Sequence, residues 1–386
     1  MKKIPYGRQY ITDEDIDSVV KVLKSDWLTQ GPNVKEFENE FCEYIGSRFA
    51  LAVSNGTAAL HLSVLALNLK PGDKVITTPN TFVASANCVK YCGGEIVFSD
   101  INPDTYLLDI EKVRKLIEES PKGTYKGIIP VDFAGRANDL EKFRNLADEH
   151  GLWILEDSCH SPGGYFKDTK GVNQNCGNGK FAELAIFSFH PVKHIAAGEG
   201  GMITTNNEEL YKRLLMLRPH GIQQDPEKLI NNHGCWYYEM QELGYNYRLT
   251  DFQAAFGLSQ LKRASSGIIR RKEIASNYYN AFHNSKFIKG QTGIIDGHAY
   301  HLYVIEVENR NGLINYLRDL NIFAQVHYIP THLMPYYQNL GSKKGDFPNT
   351  EKYYSHCLSL PMFPTLKEKE QEYVIDKINS FYNEKY

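Results

Sequence analysis

Lys193 is the residue whose setting first suggests chemistry. It lies in the stretch SFHPVKHIAAGEGG, residues 188–201, between two apolar runs, 184–189 and 201–205, with Pro191 on one side and a glycine-rich turn on the other. A lysine that must form a Schiff base needs such a setting, because desolvation and a fixed backbone favour the neutral, nucleophilic amine. Two other strand ends carry groups of interest. After the run 49–53 comes SNGTAA, residues 54–59, a glycine turn that opens directly into a helix. Gly56 lets backbone approach closely there, and free N–H groups at the positive end of a helix suit a phosphate. After the run 152–155 comes EDSCH, residues 156–160, which puts Asp157 at a strand terminus 36 residues before Lys193.

The chemistry that uses these three parts together is that of pyridoxal phosphate. A carboxylate beside the pyridine nitrogen keeps it protonated and makes the ring a better electron sink. A phosphate cup, then a carboxylate, then a lysine, in that chain order, is what a fold-type I pyridoxal-phosphate enzyme requires. Neither the dinucleotide fingerprint GxGxxG nor a Walker P-loop occurs at the glycine turn. Metal chemistry is not expected. Cys88 and Cys92 have no second Cys/His pair at finger-like distance, and Pro191 interrupts any helical face that His190 and His194 would share.

The elements that must position these groups alternate. Two amphipathic helices come first, one carrying Ile16, Val19, Val20 and Leu23 at i, i+3, i+4 and i+7, the other carrying Val34, Phe37, Phe41 and Ile45. Strand-like runs at 49–53, 74–78, 95–98, 127–131 and 152–155 then alternate with helical segments at 57–69, 81–91, 110–118 and 140–150. This pattern predicts an α/β fold, a mostly parallel sheet covered on both faces, with ligands beyond the carboxyl ends of its strands. A large domain over 1–250 and a smaller C-terminal α+β domain over 251–386 are expected. The latter would have strands at 301–306 and 323–327 and a closing helix near 368–382.

The chain has 386 residues, 42% of them hydrophobic, and a formal net charge of −3, so it can bury a large core and has no global attraction to nucleic acid or anionic membrane. No run approaches the roughly 18 apolar residues of a membrane span, and no apolar secretory core follows Lys2 and Lys3. Seven scattered cysteines favour reduced thiols. A cytoplasmic location is the expectation.

Over nearly its whole length the sequence resembles the DegT/DnrJ/EryC1/StrS family of sugar-nucleotide aminotransferases. The resemblance is carried by PYGRQ (5–9), LTQGP (28–32), SNGTAA (54–59), TPNTF (78–82), Glu156-Asp157, the 188–201 stretch, GYNYR (244–248) and QVHY (325–328). It implies a fold-type I aminotransferase with pyridoxal 5′-phosphate, PLP, cycling to its amino form, PMP. By resemblance, Lys193 bonds to the cofactor and moves the proton, Asp157 pairs with the pyridinium nitrogen, His160 faces the phenolic oxygen and Phe82 stacks on the ring. Gly56 opens the phosphate turn. Thr57 and Ala58 would bind the phosphate through backbone N–H, Thr57 and Ser188 through hydroxyls, and Asn246 would reach it from a second subunit, which makes a homodimer with a shared site. Tyr6, Arg8, Thr29, Gln30, His327 and Tyr328 are the sugar-nucleotide candidates. Arg248 stands between two roles, the amino donor's carboxylate and a structural ion pair.

Within the family, FHPVK before GEGG, together with AQVHY and the strand at His301, is most similar to members that aminate a UDP-linked sugar on the pseudaminic acid route. The implied reaction passes an amino group from L-glutamate to C4 of a UDP-linked 4-keto-6-deoxy-N-acetylhexosamine. The product would enter a nonulosonic acid or another surface glycan. The same chemistry on another nucleotide-linked keto sugar, at C3 or C4 and with a dTDP carrier, is the nearer alternative. A lysine-free dehydratase of the family is disfavoured by Lys193. A non-catalytic regulator on the same body would need a DNA-binding module, and no basic helix lies among the 53 residues before the phosphate turn.

Overall fold

The computed structural model describes residues 2–290 and 293–385. A short strand β1 (Ile4–Pro5) precedes helices α1 (Asp13–Leu23) and α2 (Pro32–Ile45). Alternation follows: β2 (Phe49–Val53), α3 (Gly56–Ala66), β3 (Lys74–Thr77), α4 (Ala84–Tyr91), β4 (Glu95–Phe98), α5 (Ile110–Glu118), β5 (Tyr125–Ile129), α6 (Leu140–His150) and β6 (Trp153–Asp157). A hairpin of β7 (Tyr165–Lys167) and β8 (Asn173–Asn175) leads to β9 (Leu184–Ser188), β10 (Gly201–Thr205) and α7 (Glu208–Leu217). A two-residue ladder, β11 (Ile222–Gln223) with β12 (Glu239–Met240), precedes α8 (Asp251–Leu261) and α9 (Ala264–Phe282). The last part holds β13 (Ile288–Lys289), β14 (Tyr303–Val307), α10 (Arg310–Asp319), β15 (Ile322–Phe323), α11 (Pro335–Asn339), α12 (Pro348–His356), β16 (Cys357–Leu360) and α13 (Glu368–Lys385).

The main sheet has the order β2-β10-β9-β6-β5-β3-β4. All neighbours are parallel except β10, which runs against both β2 and β9. The sheet is therefore mainly parallel, and its strands are apolar because both faces are covered. Helix α3 is buried nearly all round and packs on the sheet and against α4 and α7. Such a helix needs no polar face, and each of Leu60, Leu62 and Val64 contributes about 1.5–3 kcal/mol by leaving water.

Two features differ from expectation. In α1 the apolar stripe points outward, with Ile16 53% and Leu23 57% exposed, while Asp15 and Val22 face in. The cause is polar. The Asp15 carboxylate is fixed by Arg263 at 2.7 Å, Ser259 at 2.6 Å and Gln260 at 2.8 Å, which turns that side of the helix onto α8. Helix α8 packs in one cluster with Phe37, Phe41 and Phe189, whereas the C-terminal cluster begins at Ile274 within α9. The change of core therefore falls inside α9. Ile4 belongs to that C-terminal cluster, because β1 pairs in parallel with β15.

Candidate active site

Strand β10 brings the informative loops to one edge of the sheet. Gly201, its first residue, pairs with Val53 at the end of β2 and with Ser188 at the end of β9. The approach is close enough to need glycines. A Cβ on Gly201 would lie 2.6 Å from the Asn55 carbonyl oxygen, and one on Gly56 would lie 3.1 Å from Ser188 Cβ. Strand β6 lies beside β9 and ends on Asp157. A cavity of about 640 Å³ opens over these strand ends. Of the residues singled out in the sequence, Tyr6, Gly56, Thr57, Ala58, Phe82, Asp157, His160, Ser188, Lys193, His327 and Tyr328 line it.

At the start of α3, Asn55 caps the helix and its side chain accepts the Ala58 N–H at 2.8 Å. Ala58 lines the cavity, and its N–H is engaged by this cap. The N–H groups of Gly56 and Thr57 make no bond to another described residue, and they are the ones open to an anion. Asp157 is buried and held at both oxygens. Ser85 Oγ donates to Oδ2 at 2.7 Å and the Cys159 N–H to Oδ1 at 3.2 Å. Lys193 is only partly exposed, and burial lowers its pKa below the ordinary 10.5, against the opposing pull of Cys159 and Asp157. More of the amine is therefore neutral near pH 7 than for a solvated lysine.

His160 is fixed from both sides. Its Nδ1 accepts the Ala134 N–H at 3.2 Å, so in the neutral ring Nε2 carries the proton and faces the Tyr328 hydroxyl at 3.1 Å. Burial first, then the charges of Lys193, His327 and His194, hold its pKa well below 6.5. His327 is pushed down to about 3 by burial and Lys193, and its Nδ1 meets Ser359 Oγ at 2.8 Å. Burial and the charge of Asp157 raise the Tyr328 hydroxyl, keeping it protonated. Phe82 is 58% exposed and its ring lies 6.3 Å from that of Tyr328, at the mouth of the cavity.

The remaining candidates lie elsewhere. Thr29 pairs with Thr250, and Arg248 donates to Gln30 Oε1 at 2.9 Å and to Asn246 Oδ1 at 3.2 Å. Thr29, Gln30, Asn246 and Arg248 thus form a surface group that does not line the cavity. Arg248 is held by two side-chain amides, and among the described residues no carboxylate lies at ion-pair distance from it. Arg8 lines a second, smaller cavity that shares Lys193 with the first. Sequence reasoning missed Ser85, Asn55 and His301. Asn before Gly at a helix start is a recognised cap signal, and Ser85 lies three residues after Phe82, in the first turn of α4. His301 has no local signal. Its ring lies 4.4 Å from that of His160 and it lines the cavity from the C-terminal part of the chain.

The chain matches the model of the DegT/DnrJ/EryC1/StrS aminotransferase family over residues 9–379. It is 35% identical to the UDP-4-amino-4,6-dideoxy-N-acetyl-beta-L-altrosamine transaminase of Campylobacter jejuni subsp. jejuni, over 98% of this chain and 97% of that protein. Among solved structures it is similar to Helicobacter pylori PseC, an aminotransferase involved in the biosynthesis of pseudoaminic acid. The TM-score is 0.89 and the identity 31%, covering 99% of this chain and 100% of that one. It is also similar to the PMP-form of Spr1654, a sugar aminotransferase from Streptococcus pneumoniae, at TM-score 0.90 and 29% identity over 99% of both chains.

Proposed function

The chain belongs to the DegT/DnrJ/EryC1/StrS aminotransferase family, and from that premise we propose that it moves an amino group from L-glutamate to C4 of a UDP-linked 4-keto-6-deoxy-N-acetylhexosamine, with pyridoxal phosphate as cofactor. The observation that carries this reading is that Lys193, Asp157 and the open N–H groups of Gly56 and Thr57 share one cavity. The residues fit the cofactor. Gly56 and Thr57 supply donors for a phosphate, Asp157 a buried and anchored carboxylate for a ring nitrogen, and Lys193 an amine freed of part of its basicity. When bound, the cofactor's ring withdraws the electron pair that remains after a proton leaves the substrate carbon.

The chain's own groups would do the rest. Lys193 Nζ would hold the cofactor through its aldehyde carbon. Once displaced by the amino donor, it would take the proton from the donor's α-carbon and later deliver one to the sugar's C4. Asp157, kept in place by Ser85 and Cys159, would hold the ring nitrogen's proton at its carboxylate. His160 Nε2–H and the Tyr328 hydroxyl face each other and would orient the phenolic oxygen. Phe82 would cover the ring on its open side and limit water. The similarity to the Campylobacter transaminase and to PseC favours the UDP-linked 4-keto sugar, and a product destined for a nonulosonic acid.

A homodimer is part of the proposal. The outward stripe of α1 and the exposed Trp236 (71%) near β12 offer apolar surface that a second copy would cover, bringing Asn246 to the partner's phosphate site. A cytoplasmic location is proposed because all seven cysteines are free thiols, which suits a reducing compartment. The test is spectroscopic. Purified protein supplied with the cofactor should be yellow, bleach on adding L-glutamate, and after borohydride yield a cofactor-bearing peptide containing Lys193. A label on any other lysine, or colour unchanged by glutamate, sinks the reading.

A further inference from the structure

The second cavity, of about 210 Å³, lies across the lysine loop from the first. Arg8, Arg263, Arg270 and Arg271 line it, with His194 and Gln260, and among the described residues no Asp or Glu does. Two of the four guanidiniums are neutralised close by, Arg263 by Asp15 at 2.7 Å and Arg270 by Glu273 at 2.8 Å. The other two have no carboxylate at ion-pair distance among the described residues. Arg8 sits over the Phe363 ring at 5.5 Å. Arg271 is 2% exposed, and its Nη1 donates to the carbonyls of Tyr300 at 3.2 Å, His301 at 3.1 Å and Met362 at 3.1 Å.

Among the described residues its buried Nε has no partner and its Nη2 makes no bond. Arg144, Arg218 and Arg263 also leave Nε unmatched, yet each has a carboxylate within 2.7–2.9 Å. Arg271 differs from them in having none. A buried cation without a counter-charge is strongly disfavoured, and the Nε/Nη2 edge of a guanidinium matches two oxygens of one carboxylate or phosphate.

We propose that this cavity is an oxyanion site, in which the free edge of Arg271 grips a carboxylate or phosphate group and Arg8 closes on it from the outer side. The site goes beyond the transamination reading and is measurable without turnover. Two substrates of that reaction carry such a group, the dicarboxylate amino donor and the diphosphate of the nucleotide sugar, and a free ion is the third source.

The experiment follows the melting midpoint of the full chain with bound cofactor as inorganic phosphate, 2-oxoglutarate or UDP is added at constant ionic strength held with chloride. Phosphate at about a hundred times its Kd is expected to raise the midpoint by several degrees, and Arg8→Gln to weaken that binding about tenfold. Gly267→Asp supplies a carboxylate from the wall itself. A Cβ there meets only Pro364 Cγ at 3.7 Å, so the variant should fold and lose the phosphate shift. Whichever of 2-oxoglutarate or UDP has a shift that also disappears in Gly267→Asp is the occupant, and loss with phosphate alone assigns the site to a free ion. A midpoint that phosphate leaves where chloride leaves it, or a phosphate shift that survives in Gly267→Asp, overturns the proposal.

Discussion

Asp157 is only as useful as its hold on one proton. The Ser85 hydroxyl donates to Oδ2 at 2.7 Å from the first turn of α4, inside a buried environment. A hydrogen bond to a charged acceptor is worth about 1.5–3 kcal/mol, so Ser85→Ala is expected to weaken cofactor retention by about tenfold or more. Equilibrium dialysis against free cofactor measures it, and retention equal to wild type would show that Ser85 does not position the acid. Lys193→Ala is expected to abolish transamination and leave the fold intact, since the lysine sits on a loop and takes no part in the core clusters. Lys193, Asp157 and the glycine turn were legible in the sequence because each stands at a strand end in a fixed order. Ser85 and His301 were not. Their function depends on a partner that the fold brings from 72 and 141 residues away, respectively.

Strand β6 shows how one element serves two faces. Successive residues alternate sides, so when Asp157 meets the cavity its neighbour Glu156 turns to the other face, beside Asp132 and Cys176, with ligand atoms of all three within 4.8 Å. Burial and the Asp132 charge raise the Glu156 pKa well above the usual carboxylate range, which favours its protonated form, and its Oε2 accepts the Gly177 N–H at 2.8 Å. Glu156→Gln is therefore expected to keep stability within about 1 kcal/mol, because the amide retains both a donor and an acceptor. Glu156→Ala, which strands Gly177 N–H in the core, is expected to cost about 1–3 kcal/mol. Urea denaturation separates the two, and equal losses would refute a protonated Glu156. The strand–helix order of this region was readable from apolar period and turns. The rotation of α1 was not, because a four-residue apolar stripe outweighs one aspartate in any sequence pattern, whereas in the fold Asp15 gains three side-chain partners.

At the scale of the molecule, six histidines among the described residues, His61, His160, His194, His298, His301 and His327, have pKa values depressed by burial, two of them near 3, and all but the half-buried His194 are buried. The folded chain keeps them neutral while the unfolded chain protonates them below about 6.5. Their contribution to stability is present above pH 6.5 and lost as pH falls from there toward 3. Asp132 and Glu156, whose pKa values are raised, act in the opposite sense, but they are two against six. The melting midpoint is expected to fall between pH 7 and pH 5, and a flat profile would contradict neutral burial. The proposed shared site has its own measurement. Lys193→Ala and Asn246→Ala protomers, each impaired, should regain activity when mixed, and failure to do so argues against a shared site.

The first residues tie these scales together. Ile4 is locked in the C-terminal core through β15, Tyr6 reaches the larger cavity, Gly7 runs against Val192 and Arg8 borders the smaller cavity. Four steps of backbone thus form a leash from the far end of the polypeptide to the rim of both chambers. Cutting it at Ile4 and Pro5 should slacken the grip on substrate while the lysine still takes up its cofactor.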